Sequence, residues 1–399
     1  MVATDRRVVI VGAGPVGLMT AFLLSNNGIP SVVLEQSEAL ADDLRASTFH
    51  PSTLDMLDPF GITDELIAMG AKCPTWQIRI HETMERVVFD LSVIKDDTRH
   101  PYRLQCEQSK LCRILHDRLK QRNNVELRFG TRLVGFTQDD EGVTVTAETR
   151  DGEVTFRGVF LVGADGARST VRNLIGAKFE GQTYPETTIL ATTRFPFEDH
   201  LPELSNVNYV WTDQGTYSLL RLPDRWRVSI YPPIGMSIEE ALKPENVEKR
   251  LQEIVAKPEP YEVLECRAYH IHRRIVDDYR KGRVILVGDS AHINSPSGGM
   301  GMNGGIHDAF NLADKITRIW NGESLDLLDL YTRQRRPVAA EEVLAQAHRN
   351  RSRMQERDPE KRRQILRELQ EIVNDKERAR EYLLKASLIT ALRRAEQIQ

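Results

Sequence analysis

The stretch from Val8 to Glu35 restricts the chain's possible folds more than any other. Val8-Val9-Ile10-Val11 is a β-branched apolar run, long enough for a buried strand and too short for a helix. It passes into Gly12-Ala13-Gly14-Pro15-Val16-Gly17, after which Leu18-Met19-Thr20-Ala21-Phe22-Leu23-Leu24 carries apolar residues at helical spacing. Gly28 closes that helix, and Ser31-Val32-Val33-Leu34 reads as a second strand ending at Glu35. Strand, glycine turn, helix and strand in this order make a dinucleotide-binding unit. Gly12 permits the tight turn, Gly14 lets the backbone approach a pyrophosphate, and Gly17 lets helix and strand pack closely. The helix start, with Pro15 and Val16, offers unpaired N–H groups and partial positive charge to phosphates. Glu35, followed by Gln36, stands where an acid accepts hydrogen bonds from a ribose.

A chain of 399 residues has room for two or three domains. Its 54 basic and 58 acidic residues leave a net charge of −4, which argues against a general nucleic-acid or anionic-membrane surface. No stretch approaches the roughly eighteen apolar residues of a membrane span. Residues 1–7 lack a signal-peptide core, so a cytoplasmic protein is expected. Cys73, Cys106, Cys112 and Cys266 form no CxxC pair, so free packed thiols are expected and no metal.

Beyond Glu35, Arg45 stands where it suits a phosphate or flavin contact, and a short helix is expected from Ser52 or Thr53 to Gly61. Residues 76–81 and 87–91 alternate like strands, as though the chain leaves the first domain for another sheet. It returns through Leu104-Gln105 into a helix at 110–121, followed by strands at 125–129 and 143–146 and a turn at Asp151-Gly152. An apolar strand at 160–163 ends in Gly163-Ala164-Asp165-Gly166, so Asp165 lies where open α/β sheets bind ligands. Residues 187–272 read as mostly β, with one helix over 237–256. They carry Tyr209, Trp211, Tyr217, Arg221, Trp226, Arg227 and Tyr231, a composition that fits a pocket for a flat, anionic compound. A last buried strand, 283–287, ends in Gly288-Asp289. The loop Asn294-Ser295-Pro296-Ser297-Gly298-Gly299-Met300-Gly301-Met302-Asn303 then leads to a helix from about Ile306. Such a loop exposes backbone N–H groups to an anion or to developing negative charge.

With these stretches in view, the sequence resembles the single-component flavoprotein aromatic hydroxylases that share the fold of para-hydroxybenzoate hydroxylase. Gly12-x-Gly14-x-x-Gly17, Asp165-Gly166 and Gly288-Asp289 match that family's three fingerprints in order, and the likeness covers roughly residues 6–345. It implies an α/β fold with a Rossmann-type FAD-binding domain assembled from residues 1–74, 105–180 and 273–345. A mixed or antiparallel substrate sheet from 75–104 and 181–272 would be inserted into it, and 346–399 would form a C-terminal helical tail.

The resemblance also implies roles. Gly12, Gly14 and Gly17, with Pro15 and Val16, would hold the FAD pyrophosphate, and Glu35 and Gln36 the adenosine ribose. Arg45 and Gln105 would contact the flavin, and Asp165-Gly166 would lie near the pyrophosphate. Gly288-Asp289 would bind the ribitol, and Gly299, Gly301, Met302 and Asn303 would line the isoalloxazine. Pro296 would touch both the flavin and the substrate ring. NADH or NADPH would reduce FAD transiently, O₂ would add to give a C4a-hydroperoxide, and its terminal oxygen would pass to an electron-rich aromatic carbon. His50 is the first candidate for the base that activates the substrate, with Tyr217, Arg221 and His270 behind it and His292 structural. Related flavoenzymes catalyse epoxidation, Baeyer–Villiger insertion or antibiotic inactivation, and a flavin-binding sensor is a further alternative.

Two departures stand out. Gly299-Met300-Gly301 replaces a frequent Gly-Gln-Gly, which leaves a backbone role intact and removes a side-chain one. In place of the thioredoxin-like domain of many phenol-type relatives, residues 351–399 form a charged tail. Ile365, Leu369, Ile372 and Val373 fall on one helical face, and Leu384, Leu388 and Leu392 repeat the pattern, for packing on the chain's own domain or in a homodimer.

Overall fold

The computed structural model describes residues 6–42, 45–233 and 235–399. Val8–Val11 lies near the centre of a six-stranded sheet with the order Arg280–Lys281, Val284–Leu286, Phe160–Gly163, Val8–Val11, Ser31–Leu34, Val125–Arg128. All neighbours are parallel except the Arg280–Lys281 edge. Every residue of the four strands at 8–11, 31–34, 160–163 and 284–286 is buried, which is why these segments read as unbroken apolar runs. The helix Pro15–Asn26 packs against both Gln108–Lys120 and Met300–Trp320, so its apolar residues are covered nearly all round.

A second, eight-stranded sheet has the order His292–Ile293, Glu265–Val276, Phe179–Thr193, Trp226–Ile230, Gly215–Arg221, Val207–Thr212, Thr75–Ile80, Arg86–Asp90. Its single parallel pair, Val207–Thr212 with Thr75–Ile80, makes it mixed. Side chains alternate between two faces along each strand. One face carries Tyr217, Leu219, Val228 and Ile230 and packs on Phe197, Leu251 and Tyr261. The opposite face has two destinations. At one end Trp76, Phe89 and Trp211 are covered by Leu366, Leu369, Leu383 and Leu384 of the C-terminal helices Pro359–Asn374 and Lys376–Ala386. At the other end it borders a cavity.

The tail's apolar stripe is thus buried against its own sheet. Arg380 and Arg393 both bind Asp97, and Trp211 Nε1 donates to the Arg353 carbonyl at 3.1 Å. Ala345–Met354 is held to the long strand Phe179–Thr193 by the Tyr184 hydroxyl on His348 Nδ1 (2.7 Å) and by the Arg351–Glu186 pair.

Several boundaries differ from expectation. The helix expected over 237–256 is two short ones, Ile238–Ala241 and Pro244–Gln252, because Pro244 has no N–H to continue the first and suits the first turn of the second. The late helix begins at Met300 rather than Ile306, so its glycines lie in its first turns. A small sheet of Thr48–Phe49, Arg103–Gln105 and Ala71–Cys73 was not anticipated, since two- and three-residue strands carry no periodic signal.

Candidate active site

The two sheets enclose one continuous cavity of about 820 Å³. One end is built by the first fingerprint. Gly12 has φ +106°, and a Cβ there would lie 2.4 Å from the Ala164 carbonyl oxygen; one on Gly17 would lie 2.0 Å from the Gly12 oxygen. These two glycines are needed for backbone packing. Gly14 differs: a Cβ there would meet nothing within 4 Å, because it would project into open cavity, the space a pyrophosphate needs. The helix Pro15–Asn26 has no side-chain cap and no acid in its first turn, so its start is left to an anion. Glu35 accepts from the Ala13 N–H (2.8 Å) and the Ser37 N–H (2.9 Å) and lines the cavity beside Gln36.

Further along, Arg45, Asp165, Gly166 and Asp289 also line the wall. Asp165 is fixed by Ser169 Oγ (2.5 Å) and the Val171 N–H (3.1 Å). Asp289, by contrast, is exposed to the cavity. Gly288 does not reach the wall; it packs against Val16. The middle of the cavity is bounded by Pro296, Gly298, Gly299, Met300, Gly301 and Met302. The Met300–Trp320 helix starts here from Gly299 at φ +69°, again with no side-chain cap and no acid in the first turn. These residues fit a flavin dinucleotide: two uncapped helix starts face one groove, with a ribose-type acid and an open glycine at one end.

Asn303 and Gln105 sit behind this wall instead of on it. Asn303 Oδ1 accepts from the His50 N–H (2.9 Å), while its Nδ2 donates to the Thr48 (2.8 Å) and Gly299 (2.7 Å) carbonyls. Gln105 is buried with its amide on Thr48 Oγ1 (3.0 Å). Asn303 joins the late glycine loop to the Thr48–Phe49 strand, and Gln105 braces Thr48 from the neighbouring strand.

The expected catalytic side chains are placed differently from the reading of the sequence. His50 is buried and does not line the cavity. Its Nε2–H donates to the Gly298 carbonyl at 2.8 Å. Burial first, and the Arg103 charge second, lower its pKa to about 3, so the ring is neutral at pH 7. Tyr217 borders the cavity, but its ring belongs to the cluster behind the sheet and its hydroxyl bonds His81 Nδ1 (2.9 Å); burial raises its pKa. Arg221, opposite Trp226 in register, pairs with Glu198 and does not line the cavity. The sequence singled out residues of both strand faces: Tyr209, Arg227, Tyr231 and His270 line the cavity with Ser218, Leu220 and Ser229, whereas Trp211, Arg221 and Trp226 do not. Counting alternation from the buried Val228 and Ile230 would have shown this. Met354, from the tail, also reaches the cavity.

Beneath the third fingerprint lies an ionic cluster that sequence reasoning missed. Asp308 accepts from His292 Nε2 (2.7 Å) and Arg335 Nε (2.6 Å), and also from the Gly288 N–H (3.2 Å). Burial opposes its charge, but Arg335 and His292 together hold its pKa below the usual carboxylate value. His292 is buried in this cluster and does not line the cavity. An acid on a helix between Ile306 and Leu312 was the available signal.

A groove that cradles a dinucleotide and opens onto an aromatic-lined sheet defines a flavin-dependent oxidoreductase. Residues 5–347 match the family model described as the FAD binding domain, and the chain belongs to that family. It is 35% identical over 359 residues to para-nitrophenol 4-monooxygenase of Pseudomonas sp. (strain WBC-3), covering 89% of each chain. It is also 35% identical over 348 residues to 6-hydroxy-3-succinoylpyridine 3-monooxygenase of Pseudomonas putida (strain DSM 28022 / S16), covering 86% of this chain and 88% of the relative. The crystal structure of p-nitrophenol 4-monooxygenase from Pseudomonas putida DLL-E4 superposes with a TM-score of 0.90 at 32% identity, over 97% of this chain and 98% of that one. The chain is an FAD-dependent aromatic monooxygenase.

Proposed function

We propose that the chain hydroxylates a phenolic or N-heteroaromatic small molecule, using NADH or NADPH and O₂. The observation that carries this reading is the single cavity running from Gly14 and Glu35, past the Gly298–Met302 loop, to the sheet face of Tyr209, Arg227 and Tyr231. Bound FAD supplies hydride acceptance and oxygen activation; the protein binds, orients and shields. The Pro15 helix start and Gly14 take the pyrophosphate, Glu35 a ribose hydroxyl, and Asp289 the ribitol chain. The uncapped N–H groups at Met300–Met302 face the groove and stabilise negative charge on a ring edge. Pro296, Leu220 and Met354 exclude water where the substrate ring sits. Arg227, buried at that wall with Nη1 on Ser47 Oγ (2.9 Å), supplies positive charge there.

His50 acts in this scheme as a positioning residue that fixes the Gly298 carbonyl, and so the loop, through its Nε2–H. The test is anaerobic mixing of the yellow protein with NADH or NADPH across a panel of aromatics, followed by turnover under ¹⁸O₂. A product carrying one ¹⁸O is expected. Absence of flavin reduction with either donor, for every aromatic, would instead favour a flavin-binding sensor.

A further inference from the structure

Arg103 is only 3% exposed, yet its Nε and Nη1 have no hydrogen-bond partner among the described residues, and it takes part in no ion pair there. A buried guanidinium in that state is costly, because desolvation removes its hydration and no hydrogen bond replaces it. The Trp76 ring offsets part of that cost: its centre lies 4.9 Å from the guanidinium, a cation–π contact. The Trp76 Nε1 also has no hydrogen-bond partner. The antiparallel register sets Thr48 opposite Gln105 and Phe49 opposite Leu104, and the Arg103 charge is felt at His50, the residue after that strand. His50 Nδ1 is buried without a partner as well. Since Nε2 carries the proton donated to Gly298, Nδ1 presents a lone pair.

The nest therefore contains two kinds of unmet donor and one unmet acceptor, and among the described residues no ion pair neutralises Arg103. It lies one residue layer behind the inner end of the cavity. His50 backs onto Gly298, and Trp76 meets Tyr209 edge-on at 6.0 Å; both Gly298 and Tyr209 line the wall. The polypeptide runs from Arg45 through Ser47 and Thr48 along the cavity before reaching His50. Arg227, the other buried arginine of this region, has Ser47 as a partner.

From this geometry we infer that Arg103 is a specificity-determining residue that selects aromatic substrates carrying an anionic oxygen, either a ring phenolate or a carboxylate. Its positive charge acts across a thin, low-dielectric wall, where a compensating negative charge is worth far more than in water. The inference rests on reading the cavity as a site for a small aromatic ring.

The experiment titrates FAD-loaded wild type, Arg103→Gln and Arg103→Lys with 4-nitrophenol, 4-nitrobenzoate and the neutral ether 4-nitroanisole, following the flavin absorbance. In the wild type, 4-nitrophenol should bind more tightly as pH rises through its own pKa, while 4-nitroanisole stays flat. Arg103→Gln should weaken the anion by roughly ten- to thirty-fold, the order expected for removing a through-space charge at a partly buried site, and leave 4-nitroanisole nearly unchanged. Arg103→Lys should recover part of the loss. A loss confined to 4-nitrophenol assigns the oxygen to the ring; one confined to 4-nitrobenzoate assigns it to a carboxylate. Equal weakening of all three ligands, or none, overturns the inference, as does a wild type that binds neither anion. An Arg103→Gln protein with altered flavin potential but unchanged ligand affinities would assign the charge to the flavin, and also overturns it. Should Arg103→Gln lose FAD or melt early, the lysine variant and the wild-type pH dependence decide. Hydroxylation of any ring under ¹⁸O₂ reports separately on the proposed activity.

Discussion

Single residues at this site divide into those that face the cavity and those that hold the residues facing it. Gly14 is of the first kind, because a side chain there would enter open cavity and leave the protein's own packing untouched. Gly14→Val should therefore give a folded protein with near-normal melting but no yellow colour, measured as the flavin-to-protein absorbance ratio. Gly12 and Gly17 are of the second kind; any side chain at either position collides with backbone, so their replacement should unfold the turn. These three roles were legible in the sequence because the spacing of a tight turn encodes them locally. His50 was not. Its neighbours in the sequence gave no sign that its ring would point at Gly298, or that Arg103, a strand away, would help to keep it neutral.

Among the elements, the tail shows how much a surface pattern leaves open. The stripe Ile365, Leu369, Ile372 and Val373 announced an amphipathic helix without naming its partner. In the structure the partner is the sheet end carrying Trp76, Phe89 and Trp211, with Trp76 and Phe89 stacked 4.1 Å apart and Tyr382 of the tail stacked 4.9 Å from Phe89. Leu369→Ala should cost about 2–3 kcal/mol, as buried leucine truncations do. A lowered melting temperature with flavin content unchanged is the expected result. The substrate-sheet strands teach the same lesson in another form. Their existence followed from composition, but whether Tyr217 or Ser218 faces the ligand depends on a one-residue phase that pairing alone settles.

For the whole molecule, the buried charges set a pH window. Burial is the leading cause of lowered pKa at both His50 and His307, each to about 3 from an ordinary 6.5. A group whose folded pKa lies below its unfolded one binds more protons when unfolded, so its contribution is present above the unfolded value and lost as pH falls. Stability should thus decline from about pH 6.5 downward, and the depressed Asp308 should add a further loss near and below the usual carboxylate range. Melting temperatures measured from pH 8 to pH 4 should trace this fall. His307→Asn, which removes one titrating ring beside Thr53, should flatten it; an equally steep decline would refute the assignment.

The first glycine turn and the acid at Glu35 could be read from the chain as a string of letters. A pyrophosphate cradle is built from residues adjacent in sequence, whose turn geometry admits few alternatives. The rest of the cavity depended on the assembled fold. Which strand face lines the cavity, that Asn303 and Gln105 brace the wall instead of forming it, and that Arg103 lies buried without a counter-ion among the described residues all arise from contacts between distant segments. Strand register and burial decide such contacts. Both are properties of the packed molecule, because a side chain's direction and dielectric surroundings come from its neighbours in space.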